Sequence, residues 1–206
     1  QGLGHTIARG LGQAGATLIL NGRNAERLEA AVAALAAEGL KVTGALFDVA
    51  DPGQVREKIP ALEREVGPIH ILVNNAGIQR RAPLETVDEA VWQEVLNTNL
   101  TAVFLVSKAV VQSMIARKAG KIINICSLMS EMARPTVGPY MAAKGGVKTL
   151  TKAMAVEWGK YNIQVNGLGP GYFVTPMNKP LVENPQFDAW IKGRTPTGRW
   201  GLPEEL

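Results

Sequence analysis

The alternation of short apolar runs with helix-forming segments is the feature that most constrains the fold of this chain. Five runs are apolar or strand-like, and they span residues 16–20, 41–47, 70–73, 121–127 and 163–168. Helix-forming segments lie among them, at 24–37, from 51 onwards, at 89–118 and at 139–160. Nearly continuous apolar runs are typical of strands covered on both faces. The pattern therefore predicts an α/β protein with a doubly wound parallel sheet and helices on both faces.

The first residues, QGLG, raise the question of a nucleotide site. In a Rossmann-type unit, Gly2 and Gly4 would stand at a helix N-terminus, where the backbone can approach a pyrophosphate. A plain turn is the alternative, since two glycines alone are weak evidence. Such a turn needs a preceding strand, which we expect to be central, between the strands ending near Leu20 and Val73. We thus expect residues 1–206 to form one domain whose first strand and C-terminal helix and strand lie outside this sequence.

Composition excludes several classes of protein. The net charge is +4 and the basic residues are scattered, so charge alone does not indicate nucleic acid binding. The one cysteine, Cys126, excludes an internal disulfide in this sequence and is compatible with a cytoplasmic protein. His5 and His70 fit no metal-ligand spacing, so no metal is expected. We find no apolar run that reaches the length of a membrane span and no signal peptide, and we expect a protein without a membrane partner.

Three later segments carry the chemistry. They are VNNAG ending at Gly77, ICSLMSEMARPTVGPYMAAKGG with Ser127, Tyr140 and Lys144, and NIQVNGLGPGYFVT ending at Thr175. Together with QGLG, and over essentially the whole chain, they resemble the short-chain dehydrogenase/reductase family. The resemblance implies a Rossmann fold and an oxidoreductase that transfers hydride between a nicotinamide dinucleotide and a CH–OH group.

The residue types support that chemistry physically. Tyr140 and Lys144 are four positions apart and would share one helix face. A tyrosine with a pKa of about 10 is a poor base at neutral pH, and we expect the Lys144 ammonium to lower that pKa. Ser127, thirteen residues before Tyr140, can hydrogen-bond the substrate oxygen. Tyr140 is then the general acid in carbonyl reduction and the base in alcohol oxidation.

Each of these residues also has a purely structural interpretation. Tyr140 could be a half-buried aromatic, Lys144 a solvated charge and Ser127 a helix cap. Ser130 has the wrong spacing for the catalytic serine, and Cys126 is interpreted as a small core residue.

The resemblance assigns further roles by position. Lys144 would also bind ribose hydroxyls. Asn99 matches the position that holds a water of the proton relay, although Asn97 is nearby and either asparagine could serve a local hydrogen bond. The predicted cofactor-binding residues are Gly2, Leu3, Gly4, Arg23, Asp48, Val49, Asn75, Ala76, Gly77, Tyr140, Lys144, Pro170, Gly171, Phe173 and Thr175.

The segment LNGRN bears on the choice of cofactor. An acid about twenty residues after the glycines would bind the ribose diol of NAD, but Gly22 stands there and Arg23 follows. A guanidinium suits a 2′-phosphate, so we favour NADP, with NAD as the weaker possibility. The alternative is that Arg23 lies only at the surface.

Arg80 and Arg81, just past the cofactor loop, are where a substrate carboxylate could bind, and Arg80 is preferred. Ser127 and Tyr140 complete the predicted substrate site. A sugar acid is the favoured substrate. The alternatives are a related polyol or sugar acid, a 3-oxoacyl thioester, or no substrate at all in a catalytically silent NADP-sensing module. Members of the family are usually homotetramers or homodimers built on the two long helices, and we expect the same here.

Overall fold

The structure is a computed structural model that describes residues 2–206. The chain divides into two compact units, one made of residues up to Leu46 together with Pro170–Leu206, the other of Phe47–Gly169. Each unit contains its own parallel sheet. The predicted α/β class with parallel strands and helices is confirmed, whereas the single domain over 1–206 stays a prediction.

The first unit is built on a two-stranded parallel sheet. Its strands pair from Leu18 opposite Val42 to Gly22 opposite Leu46. A small core of Ala8, Leu18 and Leu35 packs between this sheet and its helices. In chain order its elements are α1 (Leu3–Gln13), β1 (Leu18–Gly22), α2 (Ala25–Ala37), β2 (Val42–Leu46), α7 (Lys179–Val182) and α8 (Pro185–Arg194).

The second unit is built on a three-stranded parallel sheet in the order β3 (Ile71–Asn74), β4 (Gly120–Ile125) and β5 (Ile163–Leu168). Buried side chains at Val103, Cys126 and Val147 form part of its core, so the structural interpretation of Cys126 as a core residue is confirmed. Its elements are α3 (Pro52–Glu65), β3 (Ile71–Asn74), α4 (Glu89–Leu96), α5 (Ala102–Arg117), β4 (Gly120–Ile125), α6 (Gly138–Trp158) and β5 (Ile163–Leu168).

The helices begin where side chains satisfy their free N–H groups. Asn24 accepts from the N–H of Arg27 at 2.8 Å at the start of α2, and Asp88 accepts from Ala90 at 2.7 Å before α4. Asp51 accepts from Gly53 and Gln54 before α3. Each of these side chains satisfies an N–H group that the first turn of a helix leaves without an intrahelical partner.

Two predicted elements differ from the structure. The helix predicted at 89–118 is interrupted by a π-helical turn at Asn97–Thr101, which separates α4 from α5. The strand predicted at 121–127 ends at Ile125, so Ser127 lies in the connection that follows it. A widened turn does not disturb the apolar pattern of a long helix, and for that reason the sequence did not indicate it.

A buried polar chain links the sheet of the second unit to both long helices. Asn74 of β3 donates to Ser107 of α5 at 2.9 Å and to Asn124 of β4 at 2.8 Å. Asn124 in turn donates to Thr151 of α6 at 2.9 Å. The side-chain amides of both asparagines in this hydrogen-bonded network have partners, as burial requires. This network of hydrogen bonds therefore fixes α5 and α6 against two neighbouring strands, which lie in register at Asn74 and Asn124.

The helical stretch Glu89–Arg117 corrects one expectation from the sequence. Within residues 2–206, this one helix is long and apolar enough to cross a membrane by length and composition. Nearly half of its most apolar window is buried inside the protein, and Val110, Val111 and Met114 are fully or almost fully buried. The apolar character of α5 is therefore accounted for by its place in the core of the second unit.

Candidate active site

Ser127, Tyr140 and Lys144 meet in the second unit, at the connection between β4 and α6. Tyr140 is the third residue of α6, and Lys144 follows one turn later on the same face. A side-chain hydrogen bond joins Tyr140 to Ser127. The Lys144 Nζ lies 5.8 Å from the centre of the Tyr140 ring. The three side chains that we predicted from the sequence to be catalytic are therefore neighbours in space.

Burial governs the ionisation of Tyr140. Desolvation raises the pKa of the phenol above its usual value of 10, and the hydrogen bond with Ser127 opposes this rise. The net change in the Tyr140 pKa is therefore upward, opposite to the lowering that the sequence led us to expect from the Lys144 ammonium. The Tyr140 hydroxyl is therefore protonated near neutral pH, the state that a proton donor needs.

Lys144 is directed at the backbone of β4. Its Nζ donates to the carbonyl of Ile125 at 2.5 Å, and only 4% of the residue is exposed. Burial lowers the pKa of Lys144 to about 8. The alternative of a solvated Lys144 is thus excluded, and its ammonium is held beside the site by a strand carbonyl.

Ser127 has two roles in the structure. It is the N-cap of a short 3₁₀ turn, Leu128–Ser130, and its Oγ accepts from the N–H of Met129 at 3.1 Å. The same side chain is hydrogen-bonded to Tyr140. The cap interpretation and the active-site interpretation are therefore compatible, because a hydroxyl can accept two hydrogen bonds and donate one.

Ser130 is an active-site neighbour that the sequence analysis missed. Its hydroxyl accepts from the N–H of Ser127 at 3.2 Å and donates to the carbonyl of Lys144 at 2.9 Å. Its spacing from Tyr140 excluded it as the catalytic serine and gave no reason to give it another role. The serine three residues after the N-cap was the available signal, since that spacing is typical of reciprocal capping.

Asn99 lies in the π-helical turn and is fully buried. Its Oδ1 accepts from the N–H of Ile78 at 2.8 Å, and its Nδ2 donates to the carbonyl of the same residue at 2.8 Å. The side chain therefore holds the loop that follows Gly77. Asn97, the alternative, accepts instead from Gln93 on the helix surface at 2.8 Å.

The glycine turn at the start of the first unit has a conformation that favours glycine. Gly2 is the N-cap of α1 with φ at 78°, a left-handed value. Leu3 and Gly4 form the first turn of α1, which carries no acidic residue. Unpaired N–H groups at such a helix end bind phosphate well. These residues fit the phosphate part of a dinucleotide.

Arg23 lies in the same unit, directly after β1 and before the α2 cap. It is exposed, and it follows Gly22, where a Cβ would make only ordinary contacts with Leu28. Space thus does not explain the missing carboxylate at residue 22. An arginine in this position fits a phosphorylated ribose better than a free diol.

Residues 48–49 and 75–77 follow the strands β2 and β3. The Asp48 carboxylate accepts from the N–H of Ala50 at 2.9 Å, which forms a local turn. Asn75, Ala76 and Gly77 stand directly before the segment held by Asn99, and a Cβ at Gly77 would come within 3.5 Å of the Asn99 Oδ1. Both segments, which include Val49, are at positions where open parallel sheets bind ligands.

The PGYFVT segment is anchored within the first unit. Phe173 forms a bridge with Gly201, and Val174 donates to the Gly201 carbonyl at 2.9 Å. A Cβ at Gly201 would be 2.8 Å from the Phe173 ring, so the close approach requires glycine. Pro170 is buried, Gly171 is exposed, and Thr175 stands directly before a 3₁₀ turn without a side-chain hydrogen bond to it.

Arg80 and Arg81 are both exposed in the segment after Gly77. Arg80 forms a two-pronged ion pair with Glu94 of α4, at 3.1 Å from Nε and 2.8 Å from Nη2. No local sequence pattern indicates this pair. Since Glu94 uses the Nε–Nη2 edge of the guanidinium, a substrate carboxylate would have to approach Arg80 from its Nη1 side or displace Glu94.

Metal-binding side chains do not gather in this structure. Over residues 2–206, no group of three or more His, Cys, Asp or Glu side chains could hold a metal ion. Neither His5 nor His70 belongs to such a group.

A parallel-stranded α/β fold with a serine just after one strand, and with a half-buried tyrosine and a lysine one turn apart on the next helix, defines a class of dehydrogenase. The family model described as short chain dehydrogenase matches residues 1–186. The chain belongs to this family of oxidoreductases, and the resemblance predicted from sequence is confirmed.

Within this family, the chain is similar to individual proteins with named activities. The chain is 53% identical to a gluconate 5-dehydrogenase from Gluconobacter oxydans (strain 621H), over 100% of this chain and 80% of the relative. It is 50% identical to a 2-dehydro-3-deoxy-D-gluconate 5-dehydrogenase from Formosa agariphila, over 100% of this chain and 78% of the relative.

A solved structure is similar throughout the chain. It is a gluconate 5-dehydrogenase from Burkholderia cenocepacia J2315 in complex with NADP and tartrate. It is 51% identical, with a TM-score of 0.96 over 100% of this chain and 80% of that one.

Proposed function

We propose that this chain is an NADP-dependent oxidoreductase that interconverts D-gluconate and 5-keto-D-gluconate. The observation that carries the chemistry is the half-buried Tyr140, hydrogen-bonded to Ser127, with Lys144 one turn further along α6. The substrate is supported by similarity, because the segments around Gly77, Ser127 and Thr175 resemble those of gluconate 5-dehydrogenases and the Gluconobacter relative bears that name.

Tyr140 acts as general acid when the 5-keto group is reduced and as general base when gluconate is oxidised. Burial keeps its proton in place until the substrate oxygen gains charge. Ser127 hydrogen-bonds the same oxygen and stabilises that charge. The bound nicotinamide supplies or accepts the hydride. Lys144, charged below its pKa of about 8, holds ribose hydroxyls.

The fit of the first unit to a phosphate group supports the cofactor assignment. The N–H groups of Gly2, Leu3 and Gly4 bind the pyrophosphate, and Arg23 binds a 2′-phosphate, which favours NADP over NAD. The similar Burkholderia protein was solved in complex with NADP, which also supports NADP as the cofactor. The remaining cofactor contacts are proposed by position: Asp48 and Val49 at adenine, Asn75, Ala76 and Gly77 at the second ribose, and Pro170, Gly171, Phe173 and Thr175 beside nicotinamide.

Asn99 is proposed to hold a water that relays protons to Lys144. Its side chain is fully engaged by Ile78, so its backbone carbonyl is the group that remains for this water. The π-helical turn supports this role, because such turns are frequent at functional sites.

Arg80 is proposed to bind the gluconate carboxylate. The carboxylate and the reacting carbon lie at opposite ends of the substrate, so the charge is bound several ångströms from Tyr140. A guanidinium fork gives that contact direction. The pair with Glu94 holds the Arg80 guanidinium in a fixed orientation, and its Nη1 donates a long hydrogen bond of 3.5 Å to the Gln79 carbonyl, which a substrate carboxylate would replace. Arg81, also exposed, is the competing candidate.

A substrate and cofactor panel tests the function. We expect the highest kcat/KM with gluconate and 5-keto-D-gluconate, and a lower KM for NADP than for NAD. Tyr140→Phe should remove nearly all turnover because the proton donor is lost, while NADPH binding measured by fluorescence stays close to normal. Turnover near that of the unmodified protein in the phenylalanine variant would contradict the mechanism.

The carboxylate contact is tested with Arg80→Ala and Arg81→Ala. Each variant is assayed on gluconate and on a neutral polyol or ketone that the enzyme also accepts. If Arg80 binds the carboxylate, its loss should lower kcat/KM for gluconate roughly tenfold to a hundredfold and spare the neutral substrate. Equal losses on both substrates would point to a defect in folding or cofactor binding instead.

The alternatives make different predictions in the same panel. The Formosa relative, named for a different sugar acid, favours a related sugar acid as the second candidate. A polyol dehydrogenase or a 3-oxoacyl-carrier-protein reductase would prefer those substrates. Dinucleotide binding without turnover on any substrate would favour an NADP-sensing module.

We also propose a cytoplasmic homotetramer or homodimer. Exposed apolar side chains on the long helices α5 and α6 support the oligomer, with Phe104 45% exposed and Val156 82% exposed. The single cysteine is compatible with the cytoplasm.

A further inference from the structure

Ser130 connects the two backbone segments on which the active-site residues stand. It is the last residue of the 3₁₀ turn after β4, and its own N–H donates to the carbonyl of Ser127 at 2.9 Å. Its hydroxyl accepts from the N–H of Ser127 at 3.2 Å and donates to the carbonyl of Lys144 at 2.9 Å. A single hydroxyl thus joins the backbone of Ser127 to the interior of α6.

The position of these contacts couples them to Tyr140. The Lys144 carbonyl lies one helical turn after Tyr140, within the same helix α6. Any displacement of the 3₁₀ turn from this carbonyl therefore changes the separation between Ser127 and the Tyr140 hydroxyl. Their hydrogen bond is the contact that would be strained.

The orientation of the Ser127 side chain depends on the same turn. Its Oγ accepts from the N–H of Met129, the residue before Ser130, at 3.1 Å. That bond uses one acceptor position of the hydroxyl, so the remaining acceptor position and the proton are available to Tyr140 and the substrate oxygen. A loosened turn would release the Ser127 side chain to other rotamers.

We propose that Ser130 is a positioning residue, whose hydroxyl sets the distance and orientation between Ser127 and Tyr140. It does not touch the substrate. The proposal rests on the function assigned above to Ser127 and Tyr140 and adds a residue that sequence spacing had excluded.

The chemistry of this position favours serine. The contact needs an acceptor for an N–H and a donor for a carbonyl in one small group, and a hydroxyl supplies both. Alanine leaves the Ser127 N–H and the Lys144 carbonyl without this partner. Cysteine keeps the shape but is weak in both roles, whereas threonine keeps the hydroxyl.

The test compares Ser130→Ala and Ser130→Thr in the natural full-length protein. Ser113→Ala is the matched control: that hydroxyl also bonds two groups in the same unit, Glu63 and the Val110 carbonyl at 3.1 Å, but it lies between α3 and α5. The first readout is the pKa of Tyr140, obtained by ultraviolet difference titration of each variant against the same variant carrying Tyr140→Phe. The second is kcat, with KM for NADP, on the best substrate of the panel.

We expect Ser130→Ala to raise the Tyr140 pKa by about half a unit to one unit, because the opposing hydrogen bond from Ser127 weakens. It should lower kcat about three- to tenfold, with KM for NADP changed by less than about twofold. Ser130→Thr keeps the hydroxyl, so the Tyr140 pKa and kcat of this variant should stay close to those of the unmodified protein. Ser113→Ala should change neither, even where it lowers thermal stability.

Three results would overturn the proposal. They are a folded Ser130→Ala variant with unchanged Tyr140 pKa and kcat, a Ser130→Thr variant as impaired as Ser130→Ala, and equal kinetic losses in Ser113→Ala. If Ser130→Ala does not fold, Ser130→Cys decides by the same criteria. The titration uses no substrate, so it tests Ser130 even if the panel refutes the sugar-acid function.

Discussion

At the scale of single residues, the burial of the Lys144 ammonium is energetically unfavourable. Its ammonium is almost completely removed from water, and the Ile125 carbonyl at 2.5 Å compensates for only part of the lost hydration. Burial consequently lowers its pKa to about 8 from an ordinary value of 10.5. A core position of this kind would be more stable with an apolar side chain, so Lys144 is explained by function.

This cost predicts a pH dependence of stability. Between pH 8 and 10.5, the unfolded chain keeps the Lys144 proton that the folded chain has lost, so the free energy of unfolding should rise with pH. Lys144→Met should abolish this rise and stabilise the protein at pH 7 by about 3 kcal/mol, an order-of-magnitude value. The measurement is urea unfolding at several pH values below 10, because the raised pKa of Tyr140 makes stability fall above that pH.

Lys152→Met provides the control for that measurement, since Lys152 is exposed on the same helix. The rise in the free energy of unfolding with pH should persist in this variant. A Lys144→Met protein that is less stable than the unmodified protein at pH 7 would show that the ammonium contributes net favourable contacts.

At the scale of elements, the π-helical turn Asn97–Thr101 places Asn99 where a regular helix would not. The turn points this amide at Ile78, and its two hydrogen bonds, both 2.8 Å, fix the loop that carries Asn75–Gly77 on one side and Arg80 on the other. One buried side chain therefore supports both the proposed ribose site and the proposed carboxylate site.

Asn99→Ala should lower the free energy of unfolding by about 2–4 kcal/mol, because the N–H and carbonyl of Ile78 both lose their partner and a cavity remains. It should also raise KM for NADP as the loop loosens. Chemical denaturation and steady-state kinetics measure the two effects. Asn97→Ala, which removes only the exposed bond with Gln93, should cost less than about 1 kcal/mol; equal costs in the two variants would contradict the assignment.

The sequence predicted those parts of the fold and site that depend on local periodicity. The five strands were found near their observed positions, and the four-residue spacing correctly placed Tyr140 and Lys144 on one helix face. The π-helical turn leaves the apolar pattern intact, and the 3₁₀ turn makes Ser130 a neighbour of Lys144 against the linear spacing. The pair of Arg80 with Glu94 joins residues fourteen positions apart across a loop, and no local pattern indicates it.

At the scale of the whole molecule, the long helices α5 and α6 expose apolar side chains that their own unit does not cover. Val156 on α6 is 82% exposed and Phe104 on α5 is 45% exposed. The Lys108 ammonium lies 5.6 Å from the centre of the Phe104 ring and shields only part of it. Apolar surface on helices that are otherwise packed into the core is typical of a surface for another protein chain, and in the proposed oligomer that chain is a second copy.

The last prediction follows from this surface. Val156→Lys should raise the dissociation constant of the oligomer at least about tenfold, because a valine buried in an interface contributes about 1.5–3 kcal/mol and a buried lysine adds a desolvation cost. Sedimentation velocity over a concentration series measures the shift. Val66→Lys is the control, since Val66 is an exposed apolar residue just after α3 and belongs to neither of the long helices. A monomer at all concentrations before mutation, or equal shifts in the two variants, would exclude the α5–α6 face as the interface.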